Sequence, residues 1–238
     1  MPRIYLRSDC VSMNKGTRKL VITIDGPAGA GKSTVSKMLA RRLGYVYVDT
    51  GAMYRAVAVL ARGAGHANPL DETLLQEICS GLKLRFISEN GVLRLLANGE
   101  DITEEIRKPE ISSLASAVSA IGVVRERLTH IQREMGSRGG VVLEGRDMGT
   151  VVFPDAEVKF FLDASPEIRS QRRHLELKVQ GEEVTFNEVY EQMLVRDSSD
   201  RNRQLAPLRP AADAIVVDSS NLQIEDVVQV MLDHIEKQ

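Results

Sequence analysis

Cysteine is scarce in this sequence: Cys10 and Cys79 are the only two in 238 residues. Two thiols cannot build a disulfide framework, and neither sits at metal-ligand spacing, so the pattern predicts free thiols in a reducing cytoplasm. Long apolar runs are also missing. The longest, residues 117–124, is interrupted by Ser119 and Gly122 and falls far short of the roughly 20 residues that a membrane span requires, which argues against a membrane protein. Charge of one sign is lacking as well: 31 basic against 33 acidic residues leave a net charge of −2, which argues against binding a nucleic acid polymer by bulk positive charge. Residues 1–19 carry Arg3, Arg7, Lys15, Arg18 and Lys19 but no sustained apolar stretch, so they do not read as a secretory signal. They are expected to form a disordered leader.

What remains is an ordinary globular composition, with 43% apolar and 27% charged residues. Among the basic residues, 22 Arg outnumber 9 Lys, a bias toward planar, bidentate recognition of phosphate or carboxylate. Short β-branched or aromatic runs predict strands at 20–25, 45–48, 141–144, 158–162 and 214–217, and helical spacing fills the intervals near 51–62, 121–137, 165–178, 185–202 and 223–237. Strands alternating with helical crossovers predict an α/β fold with a doubly wound, five-stranded parallel sheet. One stretch, about 63–118, breaks the rhythm. It predicts a short helix near 71–80 and then an antiparallel hairpin, 82–87 and 92–97, around Ser88-Glu89-Asn90-Gly91, where Asn-Gly is a hairpin turn signal. This stretch reads as an insertion within a single domain covering 20–238.

The strongest chemical signal is Gly26-Pro27-Ala28-Gly29-Ala30-Gly31-Lys32-Ser33-Thr34, a G-x-x-x-x-G-K-[ST] loop between an expected strand and an expected helix. Glycines let backbone N–H groups turn toward phosphate oxygens at a helix N-terminus. Lys32 then reaches the β and γ phosphates, and the Ser33 hydroxyl is the expected ligand for Mg²⁺, so a nucleoside triphosphate site is predicted. The only Asn-Lys pair, Asn14-Lys15, precedes the first strand and continues as Gly16-Thr17, which disfavours an N-K-x-D GTPase. Val141-Val142-Leu143-Glu144 is at best a partial match to the acidic strand end of an ATPase that activates water.

A kinase with a small phosphorylated acceptor needs many arginines, because two clusters of phosphate charge must be brought together. Arg55, Arg125, Arg146, Arg169, Arg172, Arg173, Arg196, Arg201, Arg203 and Arg209 supply them. Arg146-Asp147 directly follows a strand, and Arg196, Asp200 and Arg203 are expected to share one helical face. His66, His130, His174 and His234 are scattered and read as structural.

Four stretches together carry a resemblance: the loop from Ile24-Asp25 through Thr34, Asp49-Thr50-Gly51-Ala52-Met53-Tyr54-Arg55, Glu144-Gly145-Arg146-Asp147-Met148-Gly149-Thr150-Val151-Val152-Phe153-Pro154, and Asp200-Arg201-Asn202-Arg203. From about Leu20 onward the chain resembles the bacterial cytidylate kinases of the nucleoside monophosphate kinase group. The resemblance implies transfer of a phosphoryl group from ATP to CMP or dCMP, with Mg²⁺. It implies that Arg55, Arg146 and Arg196 hold the acceptor phosphate, with Tyr54 and Thr50 lining its pocket. Ser116, Arg125 and Arg203 would face the cytosine, and Asp200 and Arg196 the sugar hydroxyl. A lid of about 172–184 would bring Arg172 and Arg173 to the transferred phosphate, while Asp147 would orient Arg146 or hold a magnesium-bound water. Thr50 stands where the family often has Ser, and Ser33 where many members have Gly. The expected state is a cytoplasmic monomer acting on small molecules. From the motifs alone, a kinase for another small acceptor and a nucleotide-gated binding switch stay open.

Overall fold

The computed structural model describes residues 19–89 and 92–237. In chain order it contains β1 (Val21–Asp25), α1 (Lys32–Leu43), β2 (Val46–Asp49), α2 (Thr50–Gly63), α3 (Glu72–Gly81), β3 (Leu84–Glu89), β4 (Val92–Ala97), β5 (Glu100–Asp101), α4 (Pro109–Val118), α5 (Gly122–Gly136), β6 (Val141–Gly145), β7 (Val158–Asp163), α6 (Pro166–Val179), α7 (Phe186–Asn202), β8 (Ile215–Asp218) and α8 (Ile224–Ile235). A 3₁₀ turn covers Glu105–Arg107, and a single π-helical turn, Met148–Val152, follows β6. The expected leader of residues 1–19 falls, up to residue 18, outside the described residues, as do Cys10 and the Asn90-Gly91 turn.

The chain divides into two compact units. One comprises Lys19–Asp49 and Arg138–Gln238 and contains the five-stranded sheet, in the order β2-β6-β1-β7-β8. All its pairings are parallel, so an α/β fold with five parallel strands is the architecture, as the alternation of strand and helix signals predicts. β1 lies centrally, between β6 and β7, and its carboxyl end opens into the glycine loop. On one face of the sheet, Ile22, Ile24, Val142, Phe160 and Leu162 pack with Leu39 of α1 and Val228 and Met231 of α8. Strands buried on both sides read as continuous apolar runs, which is why these strands are visible in the sequence.

The other unit holds Thr50–Ser137. Here α2 packs against α3, α4 and α5, and β3, β4 and β5 form a separate antiparallel sheet. α3 starts where the Asp71 carboxylate accepts the Leu74 N–H. The structure adds two elements to those expected from the sequence, β5 and α4. β5 is two exposed residues long. α4 opens on Pro109 in its first turn, a position where proline's missing N–H costs nothing.

Among the described residues no helix is long and apolar enough to cross a membrane.

Candidate active site

The glycine loop is shaped by contacts that no side chain could tolerate. A Cβ on Gly26 would stand 2.0 Å from the Leu162 carbonyl oxygen, and one on Gly29, at φ +75°, would meet the Arg169 backbone at 2.9 Å. β1 therefore delivers the chain tightly against β7 and α6 before α1 begins. α1 has no acidic residue in its first turn and no side-chain cap, so its leading N–H groups face the loop. This is the arrangement that binds phosphate at a helix N-terminus.

Lys32 is buried, and its Nζ donates to the Pro27 carbonyl at 2.6 Å. Burial, reinforced by the guanidinium groups of Arg146 and Arg196, depresses its pKa from 10.5 to about 7, against the opposing pull of Glu144 and Asp25. Glu144 is shifted upward, by burial first and the nearby Asp49 second, while Lys32 and side-chain hydrogen bonds from Tyr47 and Ser33 work the other way. Tyr47 donates its hydroxyl proton to Glu144. Ser33 thus sits beside the Glu144 carboxylate, and Asp49 is paired to Glu144 in register on the adjacent parallel strand. No cluster of three or more protein metal ligands occurs among the described residues. The Ser33 hydroxyl is an oxygen donor of the kind Mg²⁺ takes, an ion that uses few protein oxygens and completes its shell with water and substrate phosphates.

At the end of β6, Arg146 Nε donates to Asp200 Oδ2 at 2.8 Å. Burial alone would raise Asp200, but Arg146, with Arg196 and Arg203 beside it, outweighs that and holds the carboxyl below its usual range. Arg203 lies one residue beyond α7 in an extended conformation, so it does not share the helical face of Arg196 and Asp200 that the spacing predicts. The helix stops there because the chain turns back, the Leu208 N–H bonding the Asp200 carbonyl. Arg203 then donates Nε to the Ala206 carbonyl at 2.7 Å and places Nη2 3.6 Å from buried Asp147.

Arg172 is held by Ser219: Nη1 to the hydroxyl at 3.0 Å and Nη2 to the carbonyl at 2.7 Å. That hydroxyl in turn donates to the Ala30 carbonyl of the glycine loop. Arg173 instead lies on the surface of α6 with Glu176. In this unit, then, Lys32, Ser33, Arg146, Asp147, Arg196, Asp200 and Arg203 belong to one charge network, with Arg172 linked to the glycine loop through Ser219.

In the Thr50–Ser137 unit, Thr50 begins α2 directly after β2, and buried Tyr54 lies one turn on. Half-buried Arg55 follows it. The Arg125 guanidinium sits over the Tyr54 ring, 5.7 Å from its centroid, and donates to the Ser119 carbonyl at 3.0 Å. Ser119 Oγ donates to the Ser116 carbonyl, so Tyr54, Ser116 and Arg125 form one neighbourhood.

Sequence reasoning missed Asp25, Tyr47 and Ser219 as parts of this network, and named Arg169 only among the arginines that a phosphate site would need. Asp25 carried the only available signal, an acid closing a strand immediately before the loop.

The model of the cytidylate kinase family matches residues 22–237. The cytidylate kinase of Geobacter sulfurreducens is 54% identical over 216 residues, 91% of this chain and 92% of that protein. That of Caldicellulosiruptor saccharolyticus is 48% identical, covering 91% and 95%. A solved structure of an uncharacterized protein from Eubacterium ventriosum, 12% identical, superposes with a TM-score of 0.51 over 92% of this chain and all of the other, a likeness of fold alone. A phosphate-binding loop with a buried lysine, an arginine–aspartate network joining the end of β6 to α7, and a family match spanning nearly every described residue lead to one conclusion: the chain belongs to the cytidylate kinase family.

Proposed function

We propose that this chain transfers the γ-phosphoryl group of ATP to CMP and dCMP, giving the diphosphates and ADP. The observation that carries this reading is the position of Lys32, buried at the head of the glycine loop and within the field of Arg146 and Arg196. Positive charge converging on one buried point is what a transfer between two phosphate groups requires. An acceptor phosphate oxygen forms a bond to the γ-phosphorus as the bond to the ADP oxygen breaks in line, and the electron pair leaves with ADP. The acceptor oxygen is already ionised at neutral pH, so no general base is needed and catalysis is positioning plus charge stabilisation.

Within this reading Gly26–Thr34 cradle the triphosphate, Lys32 follows the transferred group, and Arg172 and Arg173 neutralise it. Arg55, Arg146 and Arg196 hold the acceptor phosphate, and Asp147 fixes the arginines around it. Asp200 and Arg196 take the sugar hydroxyl, and Tyr54 and Thr50 line the pocket. Ser33, with triphosphate oxygens and water, is the residue that would hold Mg²⁺, whose chemistry is neutralisation of phosphate charge. Ser116, Arg125 and Arg203 face the cytosine. The working unit is a single chain in the cytoplasm.

An ADP-release assay across the nucleoside monophosphates tests this. CMP and dCMP should turn over fastest, with UMP about 10²-fold worse in kcat/KM, because N–H donors aimed at cytosine N3 would face an N–H in uracil and lie unpaired. Faster turnover of any purine monophosphate or of UMP would overturn the assignment.

A further inference from the structure

We propose that Asp25 is a positioning residue for the phosphoryl transfer, holding the Arg146-Asp147 pair in place by closing the backbone on both sides of it. Asp25 is the last residue of β1, buried at 4% exposure. In the parallel register its Cα partner on β6 is Gly145, the residue before Arg146. Its side chain then reaches over the intervening pair. Oδ1 accepts the Met148 N–H at 2.9 Å and Oδ2 accepts the Gly149 N–H at 2.8 Å. One residue therefore fixes positions 145, 148 and 149, and Arg146 and Asp147 form a two-residue arch between these anchors.

The arch cannot brace itself. Leading N–H groups of a helical turn have no partner within the turn and need an acceptor from elsewhere. The residue in the capping position, Asp147, makes no such bond with its side chain. The neighbouring strand supplies the cap instead, which leaves the Asp147 carboxylate turned to Arg203 and the Arg146 guanidinium to Asp200. The turn is also packed down on β1: a Cβ on Gly149 would come within 3.0 Å of Thr23 Oγ1. Because Gly26 follows Asp25 directly, the residue that aims the arginine–aspartate arch is also the one from which the phosphate loop departs. Donor and acceptor groups are registered to each other through a single backbone position.

The inference rests on the role assigned above to Arg146, and its test separates the two. In Asp25→Asn the side chain keeps its shape but presents an NH₂ group to one of two N–H groups, so the arch loses an anchor. A displacement of catalytic groups on the ångström scale can cost about 10²-fold in rate, and kcat with CMP should fall by about that factor while the dissociation constant for ATP, measured by titration without acceptor, stays within a few-fold. In ligand-free protein the amide resonances of residues 146–149 should shift in the variant while those of α8 do not. A folded variant with kcat within threefold of the parent, or one whose ATP affinity falls as much as its rate, overturns the proposal. Should Asp25→Asn not fold, hydrogen exchange in the unaltered protein decides: Met148 and Gly149 amides exchanging as fast as exposed loop amides overturn it, and strong protection supports it. A parent enzyme that ignores CMP overturns the acceptor assignment alone, since the amide shifts need no acceptor.

Discussion

Lys32 shows what burial does to a single charged residue. In the ligand-free protein it donates to its own loop, at Pro27, and its pKa is lowered to about 7 by burial and by Arg146 and Arg196. At pH 8 the amine is therefore mostly neutral. A triphosphate brings negative charge against it, favours the ammonium form and raises the pKa again. ATP binding should consequently take up close to one proton at pH 8, and ATP affinity should weaken as the pH rises above 7. Titration calorimetry in buffers of different ionisation enthalpy reads this directly. Lys32→Met should abolish the uptake and lower turnover by about 10²–10³, the usual loss when one charge stabiliser is removed. Binding enthalpies independent of buffer at pH 8 in the parent protein would contradict the shift.

At the scale of elements, the α6–α7 hairpin is tied down by one side chain. Arg169 of α6, 1% exposed, donates to the Ala164 carbonyl at 2.9 Å, the Ala28 carbonyl of the glycine loop at 3.1 Å and Asp197 of α7 at 2.5 Å. Ser165 caps the start of α6, and Thr185 with Glu188 forms a capping box at the start of α7, so each helix is set locally. Their packing onto the loop depends on the buried ion pair. Arg169→Met leaves the Asp197 charge buried and unpaired, and should destabilise the fold by about 3–5 kcal/mol in urea unfolding. Adding Asp197→Leu should return much of that, because an apolar pair of similar volume avoids the desolvation cost. Equal stabilities for the parent and Arg169→Met would show that the pair holds nothing together.

For the whole molecule, the proposed assignments predict a separate response to each ligand. A nonhydrolysable ATP analogue should slow hydrogen exchange at residues 26–34, and CMP should slow it at residues 50–55 and 116–125 of the Thr50–Ser137 unit. If CMP leaves that unit unchanged, the assignments of Thr50, Tyr54, Arg55, Ser116 and Arg125 fall together. The phosphate loop, the five parallel strands and their helices were legible in the sequence because each signal is local: a glycine spacing between a strand and a helix, apolar runs on strands buried on both faces, helical periodicity between them. α4 was not legible, since Ile111, Ala115 and Val118 are buried among serines that offer little polar contrast. Partnership was beyond the sequence altogether. Asp25 meets Met148 across 123 residues, Tyr47 meets Glu144 across 97, and Arg146 meets Asp200 across 54. Nothing in the spacing names such pairs, because parallel strands are joined through crossovers and their register is settled only when the sheet packs. The sequence by itself determined the glycine loop and the alternation of strands and helices around it; the tertiary structure decided which charged residues brace one another, since that depends on strand order and on where α7 ends.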